Sequence, residues 1–210
     1  MWFWSPILGT INRNAKKLKQ LADDILDVTK IETNYLNLNK EQFNLDDLVV
    51  NIIEDYKNQI DGNNVHLSCN LDHNKKIKKE STIVYADKTK LSQVISNLLS
   101  NAIKFTKKGT IELIAEKKDN DEVIINIKDT GTGIDPKIIP RLFTKFSRGS
   151  NEGTGLGLYI SKNIVEAHNG KIFAQNNSNG DKGSTFSFTL PLIASQEDPH
   201  SYSLTSGCMS

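Results

Sequence analysis

The chain has 210 residues, 37% hydrophobic and 24% charged, with a formal net charge of +1; it has room for one ordinary domain with a sizeable core plus an appendage, in a soluble globular class. The near-zero charge excludes a global field favouring nucleic acid or an anionic membrane, and the run Lys75, Lys76, Lys78, Lys79 reads as a solvated loop. Cys69 and Cys208 stand far apart with no partner motif, which suits a reducing cytoplasm and gives no basis for a disulfide framework or a zinc site.

The opening MWFWSPILGT is apolar, but it lacks the cationic start of a signal peptide and the ~20 residues that span a bilayer. No membrane segment and a cytoplasmic location are therefore expected. From Ile7 to about Tyr35, apolar residues recur in a near-heptad stripe through Ile11, Leu18 and Ile25, which predicts a helix that packs on other helices. Residues 37–44 break that pattern and read as a linker. Asn44 or Asp46 is placed to cap a second helix reaching about Ile60, and Val65–Leu71 and Thr82–Ala86 read as strands around the Lys-rich loop. Asp87 is the expected N-cap of a third helix from Lys88 to about Phe105, closed by Gly109. Thr110–Glu116 and Val123–Asp129 read as a hairpin. A glycine-rich stretch from Thr130 to Gly157 is interrupted by a short predicted helix around Ile138–Phe146. A fourth helix covers about Leu156–His168 and stops at Asn169-Gly170. Lys171–Gln175 and Thr185–Leu190 are the last strands, and the polar tail after Ile193 is expected to be disordered. The mixture implies an α+β fold, with helices on one face of a mainly antiparallel sheet.

Three segments carry candidate chemistry. In NLLSNAIKF, Asn97 and Asn101 are four residues apart on one helix face, with Lys104 a turn beyond. An Asn carbonyl is a hard oxygen ligand suited to Mg²⁺, and Lys104 is a mobile charge for phosphate; alone, such asparagines are more commonly solvated. In DTGTGI, Gly131 and Gly133 permit close backbone approach. Asp129 at a strand end is able to accept a hydrogen bond from an exocyclic amine such as that of adenine, although in isolation a plain tight turn is the favoured reading of this segment. In GTGLGL, Gly153 to Leu158, glycine-rich backbone entering a helix presents free N–H groups to phosphates. It lacks the ending of a P-loop and no strand directly precedes it, which disfavours a dinucleotide fingerprint as well. Between the last two segments, Phe143 and Phe146 at i, i+3 form an apolar anchor for a lid or simply core.

In order and spacing these segments resemble the boxes of the sensor histidine-kinase ATP-binding domain: NLLSNAIKFT the N box, DTGTGI the G1 box, LFTKF the F box and GTGLGL the G2 box. The resemblance covers about Phe43 to Pro191. It implies a Bergerat-type (GHKL) α/β sandwich that binds ATP with Mg²⁺. It further implies Asn101 on the metal, Lys104 near the phosphates, Phe105 against the adenine, and Asp129 on the adenine amine. Gly131, Gly133 and Ile134 would line that end, and Gly153, Thr154, Gly155, Leu156, Gly157 and Leu158 the phosphate end. Phe143, Phe146 and Arg148 belong to the lid, and Thr185 matches the family's buried Thr beside the Asp. Only Ser147 to Glu152 separates the F box from the GTGLGL glycines, so the lid is expected to be partly formed before ATP arrives.

The related gyrase, Hsp90 and MutL ATPases carry Glu where this chain has Asn97, and an amide is no general base for water. Asn97 and Lys104 are accordingly the expected catalytic residues of a kinase. The segment from Ile11 to Glu32 resembles the second helix of the family's dimerisation hairpin, and no segment resembles the first helix with its acceptor histidine. His66, His73, His168 and His200 all lie outside that context. The expected organisation is residues 1–38 as an incomplete dimerisation hairpin, 39–193 as the ATP-binding domain and 194–210 as a tail. The expected partners are a dimerisation domain bearing an acceptor His, a response-regulator receiver domain, and a second copy through the N-terminal helix. A piece of a longer kinase is the favoured reading. A short protein acting in trans, an ATP-binding module without transfer, or an ATPase are the alternatives.

Overall fold

The computed structural model describes residues 5–60, 64–71, 81–118, 121–147, 153–178 and 181–192. The Lys-rich run, His73, His200, Arg148 and the expected tail lie outside the described residues.

Helix α1, Ser5–Glu32, is a single long element. It ends earlier than the pattern implies because Asn34 turns left-handed at φ 55°, and Tyr35 N–H returns to the Lys30 carbonyl at 2.8 Å. Ile11, Leu18, Leu21 and Ile25 of the heptad stripe are exposed, whereas Val28 and Ile31 pack against the core. Part of the expected linker is instead strand β1, Glu41–Asn44, antiparallel to β3, Ile83–Ala86, with Phe43 opposite Val84. A four-residue strand is too short to display alternation, and its partner is distant in the chain. Asn44 caps α2, Leu45–Ile60, by accepting from Asp46 N–H at 2.9 Å.

The main sheet runs β2-β4-β5-β7-β6. Its strands are β2 Val65–Leu71, β4 Gly109–Lys118, β5 Glu122–Asp129, β6 Ile172–Asn176 and β7 Ser184–Pro191. Only the β2–β4 pair is parallel. Period-two alternation sends Ile111, Leu113, Ala115, Val123, Ile125, Ile127, Phe186, Phe188 and Leu190 into one core with Leu45, Val49 and Ile53 of α2. Helix α3, Lys88–Phe105, adds Leu91, Val94, Ile95, Leu98 and Leu99, and helix α4, Gly157–Ala167, adds Ile160, Ile164 and Val165. The α+β expectation, with helices on one face of a mainly antiparallel sheet, holds.

Asp87 does cap α3, accepting from Lys90 N–H at 2.9 Å. The helix closes at Thr106 rather than Gly109, which instead opens β4 at φ 139°. The helix expected around Ile138–Phe146 shrinks to one 3₁₀ turn, Ile139–Arg141. The Thr144 hydroxyl takes the Arg141 carbonyl at 2.7 Å, the acceptor that a continuing α-helix would need. Phe146 then adopts φ 58°. Helix α4 ends in a Schellman motif: Asn169 sits at φ 61°, its N–H bonds the Glu166 carbonyl, and Gly170 N–H bonds that of Val165, both at 2.9 Å.

Candidate functional site

The strongest constellation stands where β5 meets β7. Asp129, last residue of β5, is 2% exposed. Its carboxylate accepts from the Ser184 hydroxyl at 2.6 Å and from Gly131 N–H at 2.8 Å. A buried carboxylate is expensive unless so bonded, and here donors on both sides fix its orientation. Thr185 is not the residue beside it. Alternation along β7 puts Ser184, Phe186 and Phe188 on the helix-covered face, where the inward side chains of β5 also lie, and turns Thr185 to the other face. There its hydroxyl donates to Asn177 Oδ1 at 2.7 Å.

The loop after Asp129 is pinned from two directions. A Cβ on Gly131 would run into the Phe105 carbonyl and the Asp129 carboxylate, so only glycine lets this backbone lie against the end of α3. Phe105 O also accepts from Thr132 N–H at 3.3 Å. Gly133 takes φ 74°. Ile134 is clamped by one side chain, its N–H given to Asn176 Oδ1 at 2.7 Å and its carbonyl taking Asn176 Nδ2 at 2.8 Å. Asn177 donates to the Asp129 carbonyl at 2.8 Å. Ser184, Asn176 and Asn177 escaped the sequence reading. The cluster Asn176-Asn177 ahead of Gly183-Ser184 was the available signal, because short amides beside glycines commonly satisfy loop backbone.

The second constellation lines the exposed side of α3 and the opening of α4. Asn97 Nδ2 approaches the Gly157 carbonyl at 3.3 Å and the Ser161 hydroxyl at 3.4 Å, so this side chain braces α4 against α3. Asn101 is half-buried one turn on. Lys104 Nζ lies 5.0 Å from the centre of the Phe105 ring and 3.7 Å from where a Cβ on Gly153 would stand. The cation thus sits between the aromatic ring and the glycine loop. Gly153 and Gly155 hold φ 98° and 72°, which L side chains avoid, and Leu156 is buried at the helix entry. Leu158 is half-buried and packs on the core. Thr154 bonds outward, its hydroxyl donating to Asp24 of α1 at 2.9 Å and accepting from Leu156 N–H at 3.2 Å.

The two phenylalanines part company. Phe143 packs against the core, but Phe146 is 65% exposed; without a helix there, i, i+3 spacing does not align them. Lys145 pairs with Glu32 of α1 and lies 5.2 Å over the Tyr159 ring. Asp27 of α1 accepts from Gln93 at 2.7 Å and Lys90 at 2.8 Å. Burial opposes its charge, yet these two bonds and the Lys90 cation outweigh burial and hold the carboxyl below the ordinary aspartate value. His168 is buried at the end of α4, with Nδ1 on the Ile164 carbonyl at 2.8 Å and Nε2 accepting from Asp87 N–H at 2.9 Å. Burial pushes its pKa down, outweighing the bond to Ile164, and the neutral ring staples α4 to the start of α3.

The residues fit an adenine nucleotide. One end offers a fixed, buried carboxylate beside a glycine cradle that no Cβ could occupy, and the other a glycine-rich helix entry with a lysine. Among the described residues no cluster of His, Cys, Asp and Glu could hold a metal.

Residues 86–194 match the family described as histidine kinase-, DNA gyrase B- and HSP90-like ATPases, and the chain belongs to that family. Its place within the family is the ATP-binding part of sensor histidine kinases, as its relatives make plain. It is 33% identical over 208 residues to the sensor protein GacS of Pseudomonas syringae pv. syringae, covering 91% of this chain and 21% of that protein. The histidine kinase AdeS of Acinetobacter baumannii superposes with a TM-score of 0.72 at 25% identity, covering 90% of this chain and 86% of the other. The histidine kinase ThkA, solved in complex with the response regulator protein TrrA, matches with a TM-score of 0.65 at 26% identity, covering 91% and 52%. The chain thus spans about a fifth of the length of GacS.

Proposed function

We propose that this chain is the catalytic part of a sensor histidine kinase that passes the γ-phosphoryl group of ATP to a histidine on a dimerisation domain. The observation carrying this reading is the Asp129 carboxylate, buried and held by Ser184 and Gly131 at one end of a site whose other end is the Gly153–Gly157 helix entry. In this reading Asp129 accepts the adenine amine, Phe105 lies against the base, and Gly131, Gly133 and Ile134 shape its slot. The α4 amides and Lys104 hold the phosphates, and Asn101 supplies an amide oxygen to Mg²⁺. The metal, when bound, neutralises charge on the phosphate oxygens.

Asn97 favours transfer to a histidine over hydrolysis. Its amide bonds Gly157 and Ser161 and has no basic lone pair with which to activate water. Positioning and charge neutralisation are what phosphoryl transfer chiefly requires. The division into 1–38 and 39–193 is the proposed organisation, and the exposed Ile11, Leu18, Leu21 and Ile25 of α1 are its proposed dimer face. The ThkA–TrrA pairing supports a response regulator as downstream partner.

The test is incubation with labelled Mg-ATP. The chain alone should form no phosphoprotein that survives base and is lost in acid. Adding a dimerisation domain with an acceptor histidine should produce one on that domain. Steady phosphate release that ignores the acceptor would instead establish an ATPase.

A further inference from the structure

Among the described residues, three acids of helix α1 make side-chain contacts with the ATP-binding domain. Asp24 meets Thr154 in the glycine loop, Asp27 meets Lys90 and Gln93 on the first turns of α3, and Glu32 meets Lys145 ahead of the loop. These three acids share one face of α1 with Val28 and Ile31, the apolar residues packed on the domain.

The first of these contacts bears on nucleotide binding. Asp24 is 3% exposed. Its Oδ1 accepts from Gln20 at 2.8 Å and its Oδ2 from the Thr154 hydroxyl at 2.9 Å. That same hydroxyl accepts from Leu156 N–H at 3.2 Å. The Thr154 hydroxyl therefore occupies a backbone donor at the entry of α4, and α1 anchors that hydroxyl through the Asp24 carboxylate. In the proposed reading an incoming triphosphate needs that donor at the helix entry and would approach a loop already bonded to a carboxylate.

We infer that α1, docked through Asp24, holds the glycine loop in a state of low affinity for the triphosphate of ATP, and that ATP and α1 compete for the loop. This rests on the reading of the site as an ATP pocket. Linkage makes the relation reciprocal: whatever draws α1 away tightens ATP binding, and bound ATP loosens α1 by the same factor.

The experiment titrates the full chain and its Asp24→Asn variant with Mg-ATP and, separately, with adenosine. The variant should bind Mg-ATP at least about fivefold more tightly and adenosine unchanged. Without nucleotide, its Leu156 amide should exchange with solvent faster than in the wild type, a readout that needs no ligand. Equal or weaker Mg-ATP binding by the variant, or unchanged exchange at Leu156, overturns the competition while leaving the pocket intact. Wild-type protein that binds neither ATP nor adenosine overturns the pocket and the competition together.

Discussion

The two ends of the proposed site are held by different means. At the Asp129 end, each bond to the carboxylate and its loop comes from within the sheet domain: Ser184 from β7, Asn176 from β6, Asn177 just beyond it, and the Phe105 carbonyl from α3. At the glycine-loop end, the Thr154 hydroxyl is engaged by α1, a helix outside the sheet domain. The first end is finished when the domain folds. The second is tied to α1 as well. In the proposed reading, the base and the phosphates of one ligand are thereby met by differently anchored parts of the chain.

The largest effect that tests this separation is at Asp129. Asp129→Ala removes a charged acceptor and strands Ser184 and Gly131 N–H, a loss of about 2–3 kcal/mol or roughly a hundredfold. Calorimetry should show that loss for adenosine and ATP alike; a loss confined to ATP would erase the distinction between the ends. Next comes the pair Ser184→Ala and Thr185→Val. The former should weaken adenosine binding by about tenfold, one charge-assisted bond being worth roughly 1.5 kcal/mol, and the latter by less than about twofold. The reverse ranking would return Thr185 to the place that the family resemblance gave it.

A smaller effect concerns the staple between α3 and α4. Burial lowers the pKa of His168 in the folded state, whereas the unfolded chain titrates near 6.5. Below that value the unfolded state binds more protons, so stability is complete above pH ~6.5 and is lost as pH falls through the lower folded value. Urea melts should show wild type losing stability as pH falls below ~6.5, with a flatter profile in His168→Gln. Parallel profiles would remove His168 from the pH response. Smallest is Asp27→Asn, which loosens α1 at a distance from the loop and should tighten ATP binding about twofold. Weaker ATP binding would mean that α1 supports the loop instead of restraining it.

Features encoded locally were legible in the sequence. Asp87 as a cap, the shared face of Asn97 and Asn101, the glycines of the α4 entry and the turn at Asn169-Gly170 all depend on neighbours within a few residues. What escaped depends on pairing across the chain. β1 exists because β3 offers it an edge. The choice of Ser184 over Thr185 depends on which face of β7 meets Asp129, and a shift of one residue in the strand's bounds inverts it. Asn176 and Asp24 are unremarkable polar residues until the fold sets them against Ile134 and Thr154.

The far end of α4 has a mechanical consequence. Its last turn is closed by the Schellman bonds, His168 ties it to Asp87, and a Cβ on Gly170 would collide with the Thr189 carbonyl. That end is a fixed fulcrum. At 11 residues the helix is a lever arm of about 16 Å, so a tilt of about 4° carries the glycine loop by roughly 1 Å. The same distance decides whether a hydroxyl and a carboxylate remain hydrogen-bonded. Leu156 and Ile160 of the core ride on that arm, so on the competition inferred above a push on α1 opens or closes the phosphate end by repacking them.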